Sequence, residues 1–423
     1  MLDRTALAAC AVLRAKELGV ETIVANFYQK EDSPSKQVAD ISIDIDISDI
    51  DAMCQLVKNY HVDGIFVGYT DSHLPFYAEI CERTGLPCCG TKEQFSILSN
   101  NKLNFKKACM QYGVPCVHEY SLDINFKEED LQAIKYPVMC KPADGSGSRG
   151  VKRCTNEQEL IAHYRELYAS SASKNIICEE YIDSGKEIFL NYTIVDGVCS
   201  LSATYMCYDS ILEDGSFGPA ILHTYPSAYT QQYIDTVEKK VVRMFNGLGL
   251  KNCILSLQGF VTDEGFKFHE TGLRMGGGQS YVFTKELRGI SSLDIILEYS
   301  LTGKSNSNYL IENDNPFFEK PGVNYYISLK PGTINRIEGL NTVKLMPQAL
   351  QLSSFHTEGD VIRGGKSLDS VIYRIHVIDD TIEKLAKTLC FISSTIQVIS
   401  VEGYEMQNER LTYERALGML NGK

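Results

Sequence analysis

The sequence predicts a mixed fold that begins as a layered α/β unit and continues as α+β structure. Three observations indicate this: residues 1–90 alternate helical and strand-like apolar patterns, a glycine-rich hairpin interrupts the middle, and short strands with turns follow residue 323. Alternating strands and helices are typical of a parallel sheet covered on both faces. The 423 residues, 44% of them hydrophobic, suffice for about two to four domains.

The first unit covers residues 1–90 and alternates helices with buried strands. The apolar periodicities predict helices over Thr5–Leu18, Ile47–Tyr60 and Pro75–Thr84, and strands over Thr22–Phe27 and Gly64–Tyr69. A layer of this kind normally opens with a strand, whereas here a helix follows Met1 almost directly. We therefore expect the first strand of this unit to be missing.

The middle of the chain carries a lysine on an apolar run, followed by spaced glycines. Lys141 precedes Gly145, Gly147 and Gly150, whose lack of a Cβ lets the backbone curl and turn N–H groups toward an anion. These letters also fit the dinucleotide fingerprint, but Val151–Cys154 is strand-like where a helix would be required. We therefore expect a hairpin that closes over phosphates. An ordinary glycine-rich turn with a surface lysine is the alternative.

Stretches on both sides of this hairpin carry further candidate ligand-binding groups. Lys102 opens a helical unit that ends near Tyr112, and it is either a surface lysine or a second phosphate contact. Ile176–Ile182 reads as a strand that runs into a polar turn, and Glu187 stands just before the next strand. Such a strand edge can bind an adenine through its backbone and a ribose through the carboxylate. A solvated glutamate pair is the alternative.

A second hairpin is predicted around the loop Asp263–Gly265, which has glycine at its last position. A three-residue loop sets Thr262 opposite Phe266. The same register sets Gln258 opposite Glu270.

One face of the second strand of this hairpin combines aromatic and charged side chains. Period-two alternation places Phe266, Phe268, Glu270, Gly272 and Arg274 on that face. The two phenylalanines indicate that the face is buried, so Glu270 and Arg274 need partners. Four strand residues span roughly 13 Å, which prevents the two from pairing with each other. A metal or phosphate near Glu270 is one explanation, and a structural ion pair with residues elsewhere is the other.

The remaining chain predicts a third unit of short strands and turns. The run Thr302–Ser305 imitates the end of a Walker loop, but Glu298 stands at the required first glycine, which excludes that motif. Short strands begin at Val323, and a helix is predicted over Thr381–Phe391. This unit carries no obvious catalytic cluster.

Composition excludes several classes of partner. The net charge is -13 and the pI about 5.2, with no basic run that could follow a nucleic acid. The 14 cysteines are scattered without a C-x-x-C pair, as in proteins with reduced thiols. Apolar runs of about 18 residues are absent, and Asp3 and Arg4 do not fit a signal peptide. We expect a cytoplasmic protein that binds neither nucleic acid nor membranes.

Taken in order, these stretches resemble the ATP-grasp superfamily. The likeness rests on Asn101-Lys102, the K-P-x-x-G-S-G-S-x-G-V stretch from Lys141, the E-E-Y-I strand from Glu179 with its later glutamate, and the E-x-x-x-R strand from Glu270. It is similar to the carboxylate-amine ligases, such as L-amino-acid ligases, to biotin carboxylase and to carbamoyl-phosphate synthase large-subunit domains.

The resemblance implies an ATP-grasp fold in three domains. These would be a Rossmann-like preATP-grasp domain over residues 1–90 without its first strand, a two-lobed ATP-grasp domain over residues 91–305, and a small α+β domain over residues 306–423. The lid of the central domain would cover residues 120–183.

The resemblance also implies a set of ATP contacts. Phosphates, adenine and ribose would be held, in chain order, by Lys102, Lys141, Gly145, Ser146, Gly147, Ser148, Gly150, Val151, Glu179, Glu180, Tyr181, Ile182 and Glu187. Lys141 and Arg274 would be catalytic, with Arg274 facing an acyl phosphate. Glu270 and Gln258 would hold Mg2+ or Mn2+.

Two positions depart from the family pattern. Gln258 stands where a second acidic ligand is usual, and Gly272 replaces the asparagine of E-x-N-x-R. The resemblance implies an ADP-forming ligase that joins a carboxylate to an amine, with amino acids or other small metabolites as substrates and a possible homodimer. Alternatives are an ATP-binding sensor or scaffold without turnover, and a carbamoyl-phosphate or bicarbonate-activating enzyme.

Overall fold

The computed structural model describes residues 1–144, 150–171, 173–183, 185–211, 217–364 and 368–422. Helices surround two strands in the first unit, whose elements are α1 (Ala6–Glu17), β1 (Ile23–Asn26), α2 (Pro34–Val38), β2 (Ile41–Asp44), α3 (Ile50–Asn59) and α4 (Leu74–Thr84). Strands β1 and β2 pair in parallel, which confirms the expected α/β start.

The predicted strand Gly64–Tyr69 is wrong, because this stretch makes no hydrogen-bonded ladder. The chain start lies beside it and provides one bond, from the Leu2 N–H to the Phe66 carbonyl at 3.3 Å. Met1 bonds to β1 instead, through its carbonyl and the Ala25 N–H at 3.0 Å. A single bond does not build a ladder, so the stretch stays irregular.

A four-stranded antiparallel sheet lies within residues 119–180, where the sequence predicts the lid. Its elements, with the helices before it, are α5 (Lys92–Phe95), α6 (Lys102–Tyr112), β3 (Glu119–Tyr120), α7 (Glu128–Gln132), β4 (Val138–Pro142), β5 (Lys152–Cys154), α8 (Glu157–Ser170) and β6 (Ile176–Glu180). The strand order is β3-β6-β4-β5. Val138 pairs with Cys154 across β4 and β5, which confirms the predicted hairpin.

An eight-stranded sheet forms the body of the molecule, with the order β11-β10-β7-β8-β9-β12-β16-β14. Within the described residues, all strand pairings of this sheet are antiparallel. The chain segment that forms its first five strands also contains helices. In chain order these elements are β7 (Glu187–Val195), β8 (Val198–Ile211), β9 (Phe217–Tyr225), α9 (Thr230–Tyr233), α10 (Lys239–Gly247), β10 (Cys253–Thr262), β11 (Gly265–Gly272), α11 (Tyr281–Arg288), α12 (Ser292–Thr302) and α13 (Ser307–Asn313).

The C-terminal elements extend this sheet and add a smaller one. They are β12 (Gly322–Ser328), β13 (Gly332–Glu338), α14 (Leu340–Lys344), β14 (Ala349–Ser354), β15 (Val361–Ile362), β16 (Val371–Ile378), α15 (Ile382–Thr395), β17 (Gln397–Ser400) and α16 (Tyr413–Leu420). Strands β12, β16 and β14 belong to the large sheet, and β15-β13-β17 form a separate three-stranded sheet. The predicted domain limits stay a prediction, and the large sheet crosses the limit at residue 306.

The β10–β11 hairpin corrects one detail of the predicted register. Thr262 pairs with Gly265 and not with Phe266, because the turn holds two residues and not three. A β-bulge opposite Gln258 and Gly259 then adds one residue, His269, to β11. The two deviations cancel, so Gln258 pairs with Glu270 as predicted.

Strand β11 is one edge of the large sheet and bonds to the chain just before β3. The Val117 N–H donates to the Phe268 carbonyl at 2.9 Å, and the Phe268 N–H donates to the Pro115 carbonyl at 3.0 Å. One apolar core continues from the first unit through α6 to β7, β10 and β11. The start of α6, the end of β4 and the middle of β11 therefore meet. Across the described residues, no helix is long and apolar enough to cross a bilayer.

Candidate functional site

Lys102 takes its position from a capped helix start. The Asn101 side chain caps α6 by accepting from the Leu103 N–H at 3.0 Å and the Asn104 N–H at 3.2 Å. The Lys102 N–H donates to the Ala143 carbonyl at 3.1 Å, just beyond the end of β4. This bond ties the helix start to the strand that carries Lys141.

Glu270 of β11 faces Lys102. The Glu270 Oε1 atom lies 3.5 Å from the Lys102 Nζ atom. The Glu270 side chain is 30% exposed, so the expectation that it is buried is wrong. The bulge next to Gln258 breaks the alternation along the hairpin, and Thr271 and Gly272 are both buried. Glu270 therefore lies partly exposed at this edge of the sheet and not in the core.

Lys141 lies on β4 in a buried ionic cluster. Its ammonium group contacts the carboxylate of Glu179 on β6, and the second oxygen of Glu179 lies 2.5 Å from the Lys106 Nζ atom. Glu179 is 2% exposed. Burial alone would raise the pKa of Glu179, but Lys141 and Lys106 outweigh it and hold that pKa below the usual value.

The glycine hairpin is described only at its end. Gly145, Ser146, Gly147 and Ser148 lie outside the described residues. Gly150 has φ +72, and a Cβ there would lie 2.8 Å from Leu167 Cδ2. Both the left-handed backbone and the close contact require glycine at this position. The Val151 side chain that follows is exposed.

The strand predicted to hold adenine ends in residues with polar partners. Glu180 is bound by Lys267, whose Nζ atom lies 3.1 Å from Oε1, and by the His118 N–H at 2.9 Å. Tyr181 packs under the Arg153 guanidinium, 4.7 Å from the ring centre, and Ile182 is half-buried. The Glu180 carboxylate is thus engaged within the protein, which leaves the backbone of this stretch as the candidate for adenine.

Glu187 starts β7 and meets groups that the sequence did not single out. The His269 Nε2 atom lies 3.2 Å from Glu187 Oε1. Glu187, Cys207 and Asp209 each place one ligand atom within 4.8 Å of the other two. Burial, and then repulsion from Glu187, raises the pKa of Asp209 to about 6. Alternation along β8 could have placed Cys207 and Asp209 on one face, but only the pairing of β7 with β8 brings Glu187 to them.

This raised pKa predicts a measurable pH dependence. The folded state holds the Asp209 proton more tightly than the unfolded state, so its contribution to stability falls as the pH rises through about 6. We expect Asp209→Asn to gain about 1 kcal/mol of stability relative to wild type between pH 5 and pH 8. Urea unfolding at both pH values measures this gain. Asp263→Asn, at an exposed turn, is the control, and equal gains in the two variants would contradict the prediction.

Arg274 forms an ion pair with Asp71 of the first unit. Its Nη2 atom donates to Asp71 Oδ2 at 2.6 Å. Burial would lower the pKa of Arg274, but Asp71 raises it above its ordinary value. A Cβ on Gly272 would lie 3.4 Å from Asp71 Oδ1. Asp71 Oδ1 is buried and has no hydrogen-bond partner among the described residues.

The loop after Arg274 is held by a row of polar residues that sequence reasoning missed. Asn324 donates to the Gly278 carbonyl at 2.6 Å, and His376 Nε2 lies 3.1 Å from the same oxygen. Arg374, 2% exposed, donates to the Gly277 carbonyl and to the Gln279 side chain. These strand residues are far from the loop in sequence, so only the sheet order reveals the row.

Part of the chain is similar to a known protein family. The family described as "Carbamoyl-phosphate synthase L chain, ATP binding domain" matches residues 101–197. The small subunit of 2-oxoglutarate carboxylase from Hydrogenobacter thermophilus is 28% identical over 200 residues, which are 43% of this chain and 41% of that subunit. The chain spans less than half the length of the curated carboxylases that it matches first.

Solved structures match nearly the whole chain. L-amino acid ligase from Bacillus licheniformis superposes with a TM-score of 0.76 at 20% identity, covering 94% of this chain and 97% of the ligase. The biotin carboxylase domain of the Hydrogenobacter thermophilus 2-oxoglutarate carboxylase, in complex with MgADP, ADP and bicarbonate, superposes with a TM-score of 0.74 at 18% identity. This match covers 96% of this chain and 90% of that domain.

These likenesses show that the chain has the ATP-grasp fold. The ATP-grasp fold, with its lid sheet and its large antiparallel sheet, confirms the fold class predicted from the sequence. Within this ATP-grasp fold, the structure brings Lys102 and Glu270 together and joins Lys141 to Glu179. The individual ATP and metal contacts stay predictions.

Proposed function

We propose that this ATP-grasp protein is an ADP-forming ligase that joins a carboxylate to an amine. In this reaction a substrate carboxylate oxygen attacks the γ-phosphorus of ATP, and the bond to ADP breaks. The amine nitrogen then attacks the carbonyl carbon of the acyl phosphate, loses a proton and releases phosphate. Amino acids or other small metabolites are the proposed substrates, and a homodimer is the proposed assembly.

The convergence of α6, β4 and β11 carries this proposal. Lys102 lies 3.5 Å from Glu270, and its backbone is bonded to the chain just after Lys141. Two ammonium groups next to an acidic strand edge fit a polyphosphate with its cation. Fixed positive groups at such a place stabilise charge that develops during phosphoryl transfer.

Glu270 and Gln258 are the candidates for holding a divalent cation. They pair across β10 and β11, and Glu270 is partly exposed at this edge of the sheet. Gly272 offers no side-chain oxygen, so the protein supplies one carboxylate and one amide. Mg2+ is commonly held by one or two carboxylates together with substrate phosphates, which fits this set. The cation would neutralise charge on the transferred phosphoryl group.

Arg274 and Asp71 are the proposed substrate-facing pair. The Arg274 guanidinium is held in place by Asp71, so it keeps a fixed positive charge near Glu270. Asp71 Oδ1 is an acceptor without a hydrogen-bond partner among the described residues and suits an N–H group of an amine. The loop Gly276–Gln279, held by Arg374, would exclude water from the acyl phosphate.

Trapping of the acyl phosphate tests the proposal. Purified protein is incubated with ATP, Mg2+, hydroxylamine and pools of carboxylic acids, because hydroxylamine converts an acyl phosphate into a stable hydroxamate. We expect ADP release and hydroxamate formation that depend on one class of acid. ADP release without hydroxamate from any pool would contradict an acyl-phosphate ligase.

Gln258 and Gly272 favour one second candidate, an ATP-binding sensor or scaffold without turnover. Gln258 offers an amide oxygen where a carboxylate is usual, and Gly272 offers no side-chain oxygen, which weakens metal binding. Tight ATP binding without ADP release in every pool would support this candidate. A carbamoyl-phosphate or bicarbonate-activating enzyme would instead release ADP with bicarbonate alone.

A further inference from the structure

We infer that Lys106 is a positioning residue for the phosphate site, acting on Lys141 through Glu179. Lys106 lies one helical turn after Lys102 on α6, and it is 3% exposed. Burial of a lysine ammonium is costly unless it is paired, so its position needs an explanation. This inference rests on the proposed nucleotide site and names a residue that the sequence motifs do not include.

Three contacts hold the Lys106 ammonium group. Its Nζ atom donates to the Val117 carbonyl at 3.0 Å and lies 2.5 Å from Glu179 Oε1. Glu119 on β3, directly opposite Glu179 in the lid sheet, places Oε2 at 3.5 Å. Lys106 is therefore bound on one side of the same carboxylate that Lys141 contacts on the other side.

This arrangement sets the charge that Lys141 presents. With Lys141 and Glu179 alone, the buried pair would be neutral, and Lys141 would have to break a full ion pair to bind a phosphate. Lys106 engages one oxygen of the shared carboxylate, so the three buried groups carry one net positive charge. An anion near Lys141 then experiences attraction in a place with little water, where charges interact strongly. Lys106 thereby favours phosphate binding without touching the phosphate.

Nucleotide binding tests this inference by its dependence on phosphate number. We expect Lys106→Met to weaken ATP binding about tenfold or more and ADP binding less, while AMP binding stays near wild type. Lys107→Met, an exposed neighbour on the same helix, carries the same change in net charge and should bind all three nucleotides normally. Isothermal titration calorimetry without Mg2+ measures the three affinities.

For a second variant, Glu119→Gln, the inference predicts a change in ATP affinity of the opposite sign. The test therefore does not depend on whether Lys106→Met folds normally. Glu119 is about one third exposed and opposes the positive charge of the cluster. We expect Glu119→Gln to tighten ATP binding about two- to fivefold. Equal weakening of ATP and AMP in Lys106→Met, or no change for ATP in either variant, would overturn the inference. Failure of the wild-type protein to bind ATP would overturn the proposed function as well.

Discussion

Glu270→Gln is expected to lower ATP turnover by about a hundredfold or more, the loss typical when an electrostatic group at a phosphoryl-transfer site is removed. Glu270 supplies the one carboxylate among the proposed cation ligands, since Gln258 and Gly272 lack one. The variant also removes the anionic partner of Lys102 at 3.5 Å. Steady-state ADP release at saturating ATP measures the effect, once a substrate acid has been found.

Glu264→Gln is the matched control for this experiment. Glu264 stands in the exposed turn of the same hairpin, where it pairs with Lys267 at 3.2 Å. The substitution changes net charge equally but should leave turnover unchanged, because exposed ion pairs contribute little. Normal turnover by Glu270→Gln would contradict the placement of the cation at β11.

Glu179→Gln is expected to destabilise the protein by about 3–5 kcal/mol, because it leaves two buried ammonium groups without their shared carboxylate. Lys141 and Lys106 contact the two oxygens of this 2% exposed residue. Urea unfolding at neutral pH measures the loss. Glu157→Gln, exposed at the start of α8, is the control, and a similar loss in both variants would contradict the prediction.

The pH dependence of this effect has a defined sign. The pKa of Glu179 is lowered in the folded state, because the two lysines outweigh the effect of burial. Its stabilising contribution is therefore complete above the ordinary carboxyl pKa and is lost as the pH falls through the folded-state value. The difference in stability between wild type and Glu179→Gln should shrink in acid.

Local patterns predicted the parts of the site that lie within one hairpin or at one helix start. Lys141 was found because glycines follow it on the same hairpin, and Gln258 was placed opposite Glu270 by strand pairing. That register was correct although the turn was predicted one residue too long. The bulge supplied the missing residue, and nothing in the local pattern indicates it.

Contacts between distant segments could not be predicted in this way. Asp71 reaches Arg274 across 203 residues, and Arg374 reaches Gln279 from another part of the large sheet. Strand periodicity predicts on which face of a sheet a residue lies, but it does not predict which strand lies next to its own. No cluster of polar residues was therefore recognisable in the sequence of the C-terminal unit. In the structure, a row of its polar residues holds the loop that follows Arg274.

The C-terminal strands β12, β14 and β16 belong to the same sheet as the central strands, so they cannot be removed without breaking that sheet. A fragment that ends before β12 would leave the β9 edge from Leu222 to Tyr225 without its partners. Bare strand edges of this kind promote self-association between molecules. Chimeras that exchange the C-terminal segment among related proteins should therefore be joined outside this sheet, since a junction within it would disturb both solubility and the distant candidate site.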